Sequence, residues 1–144
     1  MKNIMVAIDA DERSGVLMDN AIELGKKFDS KIWIVHIATP GTGYVGLMVT
    51  PQYISTLHKS EFKAEHELLH KYEIKVRNEG LEAEGILING PTVEMVLEEA
   101  GKLNAELIII GSHEHSFLHN ALLGTTSAHL IKKSGIPVLV VPIL

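Results

Sequence analysis

The stretch Glu106–Gly111 reads ELIIIG: after Glu106 comes a short unbroken apolar run closed by a glycine. Pro137–Val141, PVLVV, has the same character. A strand with one wet face alternates apolar and polar residues, whereas these runs are apolar throughout, so both of their faces are covered. Strands of this kind belong to parallel sheets that carry helices on either side. Working outward, Ile4–Ile8 is another compact strand and Lys31–Ala38 (KIWIVHIA) another. Leu81–Ile88 reads as the remaining strand, weakened by Gly85.

The segments between these runs have helical periodicity. In Glu12–Phe28, Val16, Leu17, Ala21, Leu24 and Phe28 are read as the inward face, with Asp11 as N-cap. Thr39–Pro51, rich in Gly and Pro, reads as a loop. Gln52–Glu79 is highly charged with a thin apolar face of Ile54, Leu57, Ala64, Leu68 and Tyr72, so His58, His66 and His70 are placed on a solvated surface. Gly90-Pro91 opens a helix over Thr92–Leu103, with Val93, Val96, Leu97 and Ala100 inward. The last helix runs from about Thr125 to Ser134. Trp33 and Met18 are assigned to the core and His36 to a half-buried, hydrogen-bonded position.

The order βαβαβαβαβ predicts one α/β domain over residues 1–144, a three-layer open sandwich around a five-stranded parallel sheet. Such a sheet has a point where its winding reverses, and ligands bind there at the carboxyl ends of the strands. In the common order 3-2-1-4-5 that point lies between strands one and four. It is flanked by Ala7, Ile8 and Asp9 on one side and by Ile110, Gly111 and Ser112 on the other.

Composition narrows the partners. The chain has 144 residues, which suits one domain, and no cysteine, which removes disulfides and thiol chemistry. Its formal net charge of −5 argues against nucleic acid. The longest apolar run, Ile136–Leu144, is about half of what a bilayer span needs. The N-terminus lacks a signal-peptide pattern, so no membrane association and a cytoplasmic location are expected.

Gly111–Thr126, GSHEHSFLHNALLGTT, leaves strand four at the expected crevice and ends at a helix start. Gly111 lets the chain turn and a ligand approach the backbone. Gly124, Thr125 and Thr126 stand at the helix N-terminus, where free N–H groups and two hydroxyls suit a phosphate. Asp9 can accept hydrogen bonds from an adenine or ribose edge. His113, His115 and His119 have the chemistry of metal ligands, but a solvated polar loop accounts for them, and no metal site is assigned.

These residues resemble the universal stress protein family. The likeness rests on the opening strand ending in Asp9, Gly90-Pro91, ELIIIGSH and the ending IKKSGIPVLVVP, and it covers nearly the whole chain. Nucleotide-binding members carry Gly, two residues, Gly, nine residues, then Gly and Ser or Thr. Gly111, Gly124 and Thr125 match, while Glu114 stands at the second glycine. The resemblance implies the 3-2-1-4-5 sheet of the adenine nucleotide alpha hydrolase-like fold. It also implies ATP or AMP as ligand and a homodimer paired through residues 137–144. Asp9 and the backbone near Ile37 would meet the base, with Gly124, Thr125 and Thr126 at the phosphates.

If position 114 needs a positive φ, a glutamate there costs about 1–2 kcal/mol. A carboxylate about 6 Å from phosphate oxygens adds under about 3 kcal/mol at an effective dielectric near 20. Together these would weaken binding on the order of a hundredfold, less for AMP than for ATP, and Mg²⁺ or Mn²⁺ between Glu114 and the phosphates would relieve it.

Three functions compete at this level. One is a nucleotide-binding stress or signalling module. Another is a dimeric scaffold that has lost its ligand through Glu114. The third is a metal-assisted phosphatase or ATPase built on the histidine loop. The sequence has no GxxxxGK[ST] or GxSxG, so no catalytic residue is assigned and at most slow ATP hydrolysis is expected.

Overall fold

The structure, a computed structural model, describes residues 1–8, 14–38, 62–89, 93–112 and 125–143. Its strands are β1 (Asn3–Ile8), β2 (Lys31–Ala38), β3 (Ala83–Asn89), β4 (Leu107–Gly111) and β5 (Val138–Val141). Its helices are α1 (Ser14–Phe28), α2 (Phe62–Asn78), α3 (Val93–Lys102) and α4 (Thr125–Lys133). All five strands are parallel, in the order β3-β2-β1-β4-β5. The expected order is therefore the observed one.

Strand alternation divides the core into two layers. Ile4, Val6 and Ile8 of β1, Ile32 and Ile34 of β2 and Ile109 of β4 meet α1 and α2. Met5 and Ala7 of β1, Val35 of β2, and Ile108 and Ile110 of β4 meet α3 and α4. The central strands are buried on both faces, as their unbroken apolar runs require. Burying each such side chain contributes about 1.5–3 kcal/mol relative to leaving it in water.

The inward face of α1 differs from the expected one. Leu17, Met18, Ala21, Ile22 and Gly25 are buried, whereas Val16 and Phe28 are exposed. Val16 lies on the far side of the helix from the Met18–Ala21–Gly25 stripe. Phe28 is the last residue before the chain leaves the helix at Asp29, which has a φ of 53°. Small residues set the depth of this helix. A Cβ at Gly25 would lie 2.9 Å from Leu81 Cδ1 and 3.0 Å from Ile32 Cδ1.

On α2 the buried residues are Leu69, Tyr72 and Val76, and Ala64 is exposed. The inward stripe is thus shifted by one residue from the expected Ala64–Leu68–Tyr72 line at its N-terminal end. Ile54, Leu57 and His58 lie outside the described residues, while His66 and His70 are on the exposed surface as read. The core assignment holds for Met18, which is fully buried, but not for Trp33, which is half-buried. The Trp33 indole donates to Asn3 Oδ1 at 3.0 Å, and Lys31 Nζ sits 3.9 Å from its ring centroid. An amphipathic ring with a polar handle suits such a margin.

Gly85 lies within β3 and does not interrupt it. It lies where α2 presses closest: a Cβ there would fall 2.7 Å from Glu73 Oε1 and 3.0 Å from Leu69 Cβ. β3 is an edge strand, and its outward backbone groups are partly covered by α2. Gly85 N donates to Glu73 Oε1 at 3.0 Å, and Arg77 donates to the Ala83 carbonyl at 2.8 Å. Glu73 and Arg77 also pair with each other at 3.1 Å. One helical ion pair thus occupies hydrogen-bonding groups that would otherwise invite another strand.

Candidate functional site

The site begins in the strand register. β1 pairs with β4 at Ile4–Leu107, Met5–Ile108 and Val6–Ile109. On their other sides, β1 stays in register with β2 out to Ile8–His36, and β4 with β5 out to Gly111–Val141. The two central strands therefore part before their carboxyl ends while each remains held by its outer neighbour. This is the reversal point, because β1 leads toward α1 on one face and β4 toward α4 on the other.

Backbone groups line the parting. Ile108 N donates to Pro137 O, and Ser112 N to Val141 O, so even-numbered residues of this strand turn toward β5. By alternation Gly111 turns its N–H and C=O toward β1. In the same way Lys31 N donates to Lys2 O, which directs the even residues of β1 to β2 and Ala7 to β4. The side chains of Ala7 and Ile110 are 1% exposed and hold the two strand ends in the core. Without a Cβ at Gly111, a ligand can approach this main chain closely. Ser112 is tied to the far side: its Oγ accepts from Ile143 N at 3.1 Å.

The two helices that follow these strands begin at the same end of the sheet. α4 opens at Thr125 and Thr126, has no acidic residue in its first turn, and ends with Lys132 and Lys133. Its N-terminal N–H groups are thus free of a competing carboxylate within that turn, which favours an anion. The first turn of α1, from Ser14, also lacks acidic residues.

α4 is linked to α3 by an exposed ion pair. Glu94 Oε1, in the first turn of α3, accepts from Lys133 Nζ at 2.9 Å and lies 3.5 Å from His129 Nε2. Hydrogen bonding from Lys133, aided by the backbone and His129, holds the Glu94 carboxyl down to about 2. Sequence reasoning missed this link, because nothing in the spacing of residues 94, 129 and 133 pairs two different helices.

Of the expected site residues, the structure brings Ala7, Ile110 and Gly111 together at the parting. It places Ile37 in register with Ile88 on the neighbouring strand pair and Thr125 and Thr126 at the start of α4. Asp9, Glu114 and Gly124 lie outside the described residues, as do His113, His115 and His119. His36, read as half-buried, is 4% exposed, and its Nδ1 lies 3.1 Å from the Ile8 carbonyl oxygen. Among the described residues no helix is long and apolar enough to cross a membrane.

The sequence pattern of the universal stress protein family matches residues 1–142. The chain belongs to that family. A universal stress protein of Bacillus subtilis (strain 168) is 28% identical over 143 residues, covering 96% of this chain and 97% of its own length. Universal stress protein A homolog 1 of Coxiella burnetii is 31% identical over 144 residues, covering 97% and 95%. Among solved structures, a universal stress protein family protein of Arabidopsis thaliana with AMP bound superposes with a TM-score of 0.68 at 17% identity, covering 100% of this chain and 93% of its own. The universal stress protein of Archaeoglobus fulgidus in complex with dAMP gives 0.64 at 21% identity, covering 97% of each. At these identities the structural likeness is one of fold. The adenine nucleotides belong to those two universal stress proteins.

Proposed function

We propose that this universal stress protein binds an adenine nucleotide, AMP or ATP, where β1 and β4 part, and acts as a homodimer in stress response or signalling. The observation that carries the reading is the register. The β1–β4 ladder ends at Val6–Ile109, while the ladders on either side continue to Ile8–His36 and Gly111–Val141. The parting leaves the Ala7 C=O and the Gly111 N–H beyond the last paired residues of the β1–β4 ladder, at the end of the sheet where α1 and α4 begin, and that combination suits a phosphorylated ligand. In this reading Asp9 and the backbone near Ile37 meet the base, Gly111 permits close approach, and Gly124, Thr125 and Thr126 take the phosphates. The AMP and dAMP complexes of two proteins of the same fold support the choice of nucleotide.

Glu114 favours a second reading, a dimeric scaffold that no longer binds nucleotide, because it replaces a glycine of the motif. It also favours AMP over ATP in the first reading, since its carboxylate repels a triphosphate more strongly. Calorimetric titration of the wild type, Gly111→Ala and Glu114→Gly with AMP and ATP, with and without Mg²⁺ or Mn²⁺, separates the two. Under the first reading the wild type binds AMP and Gly111→Ala binds it more weakly. Glu114→Gly then tightens ATP by up to about a hundredfold and AMP by less. Under the second, binding heat is absent in the wild type and present in Glu114→Gly. Absence of heat in both proteins with both nucleotides would overturn the nucleotide site itself.

A further inference from the structure

We infer that His36 is a positioning residue: its ring fixes the last peptide of β1, and with it the β1 wall of the nucleotide crevice. The inference rests on the proposed nucleotide reading for its functional consequence and on geometry alone for the rest. β2 presents Ile32, Ile34 and His36 to the layer shared with α1 and α2, and the first two are fully buried isoleucines. Continuation of that pattern calls for another aliphatic side chain. A buried imidazole instead costs free energy unless its polar atoms are bonded.

The bond it makes is specific. His36 Nδ1 lies 3.1 Å from the carbonyl oxygen of Ile8, its own register partner. A carbonyl only accepts, so Nδ1 carries the proton and donates it. Ile8 is the final residue of β1 and directly precedes Asp9. At this end the ladder with β4 has already stopped at Val6, so Ile8, whose backbone turns to β2, is held from the β2 side. The His36 ring adds a side-chain bond to the ladder on that side. Without it, the peptide that sets the exit direction toward Asp9 has greater freedom to rotate. The cost of freezing it would then fall on ligand binding.

The test compares His36→Leu, His36→Asn and His36→Gln with the wild type. Asn places an amide group where Nδ1 stands, whereas Gln places one nearer Nε2. AMP affinity is read by calorimetry, stability by urea denaturation of the same preparations, and opening of β1 by hydrogen exchange at the amides of residues 6–9. In His36→Leu and His36→Gln, exchange rises at this end of β1 and AMP affinity falls about five- to tenfold, as expected for one lost hydrogen bond. His36→Asn restores both to near the wild-type values. Three outcomes overturn the inference: unchanged exchange at residues 6–9 in Leu and Gln, equal AMP affinity in all variants, or an Asn variant no better than Gln. If Leu fails to fold, the Asn–Gln comparison decides. If the wild type binds no AMP, the nucleotide reading fails, and the exchange data alone judge whether His36 holds the strand end.

Discussion

At the scale of single residues, the Glu94 carboxylate shows how an exposed group can still respond to its surroundings. Its partners Lys133 and His129 reach it from another helix, and its side chain is 61% exposed. Solvent and salt screen such a pair, so its contribution to stability is small. Its sign is nonetheless definite. The folded-state value, about 2, lies below the ordinary carboxylate value of 4.5. A carboxylate depressed on folding stabilises the protein above its unfolded-state value, and that stabilisation disappears as pH falls through the folded-state value. Urea midpoints of the wild type should therefore exceed those of Glu94→Gln at about pH 5, and the gap should close between about pH 4.5 and about pH 2. Added salt should narrow the gap at the upper end of that range. A gap that widened on acidification would contradict the arrangement.

At the scale of elements, the contact between α2 and β3 depends on the absence of one side chain. Gly85 leaves room for Leu69 Cβ and for the Glu73 carboxylate that accepts from Gly85 N. Gly85→Ala places a Cβ within 2.7 Å of Glu73 Oε1 and 3.0 Å of Leu69 Cβ. The carboxylate can swing away, but Leu69 Cβ moves only with its helix. The substitution should destabilise the protein by about 1–3 kcal/mol, read as a lower urea midpoint. It should also loosen the cover over the β3 edge, read as greater light scattering on heating. An unchanged midpoint would mean that α2 shifts freely over β3. Periodicity made both elements legible: the strand expected over Leu81–Ile88 lies at Ala83–Asn89, and the helix expected to end at Glu79 ends at Asn78, while its expected start at Gln52 lies outside the described residues. It did not show that Gly85 is a packing glycine, because the cause is a residue twelve positions away on a different element.

At the scale of the whole molecule, the two edges of the sheet differ. The β3 edge is covered in part by Glu73 and Arg77, whereas β5 lies at the other edge with Val138, Leu139 and Val140 only partly buried. This asymmetry supports the proposed pairing of two copies through residues 137–144. Pro137 O and Val141 O accept from β4, so alternation turns the backbone groups of Val140 toward the free edge. Proline is tolerated on an edge strand where its missing N–H faces outward, and there it denies a bond to any added strand. Val140→Pro should therefore fold and run as a monomer in sedimentation experiments, while the wild type runs as a dimer. Equal sedimentation of the two as dimers would move the interface elsewhere, and a monomeric wild type would remove it.

The amino-acid order alone determined the layer architecture and which residues stand at the carboxyl ends of the strands. Unbroken apolar runs can be satisfied only by cover on both faces, and helical segments between them impose parallel strands. Residues such as Ala7, Ile110, Gly111, Thr125 and Thr126 were legible because strand ends and helix starts carry local signals. The tertiary structure decided which apolar residues of α1 and α2 turn inward and that β1 and β4 part after Val6 and Ile109. It also decided that His36 bonds the Ile8 carbonyl and that Glu94 ties α3 to α4. Each of these joins residues far apart in the chain, and their meeting depends on how closely elements approach, which no local pattern encodes.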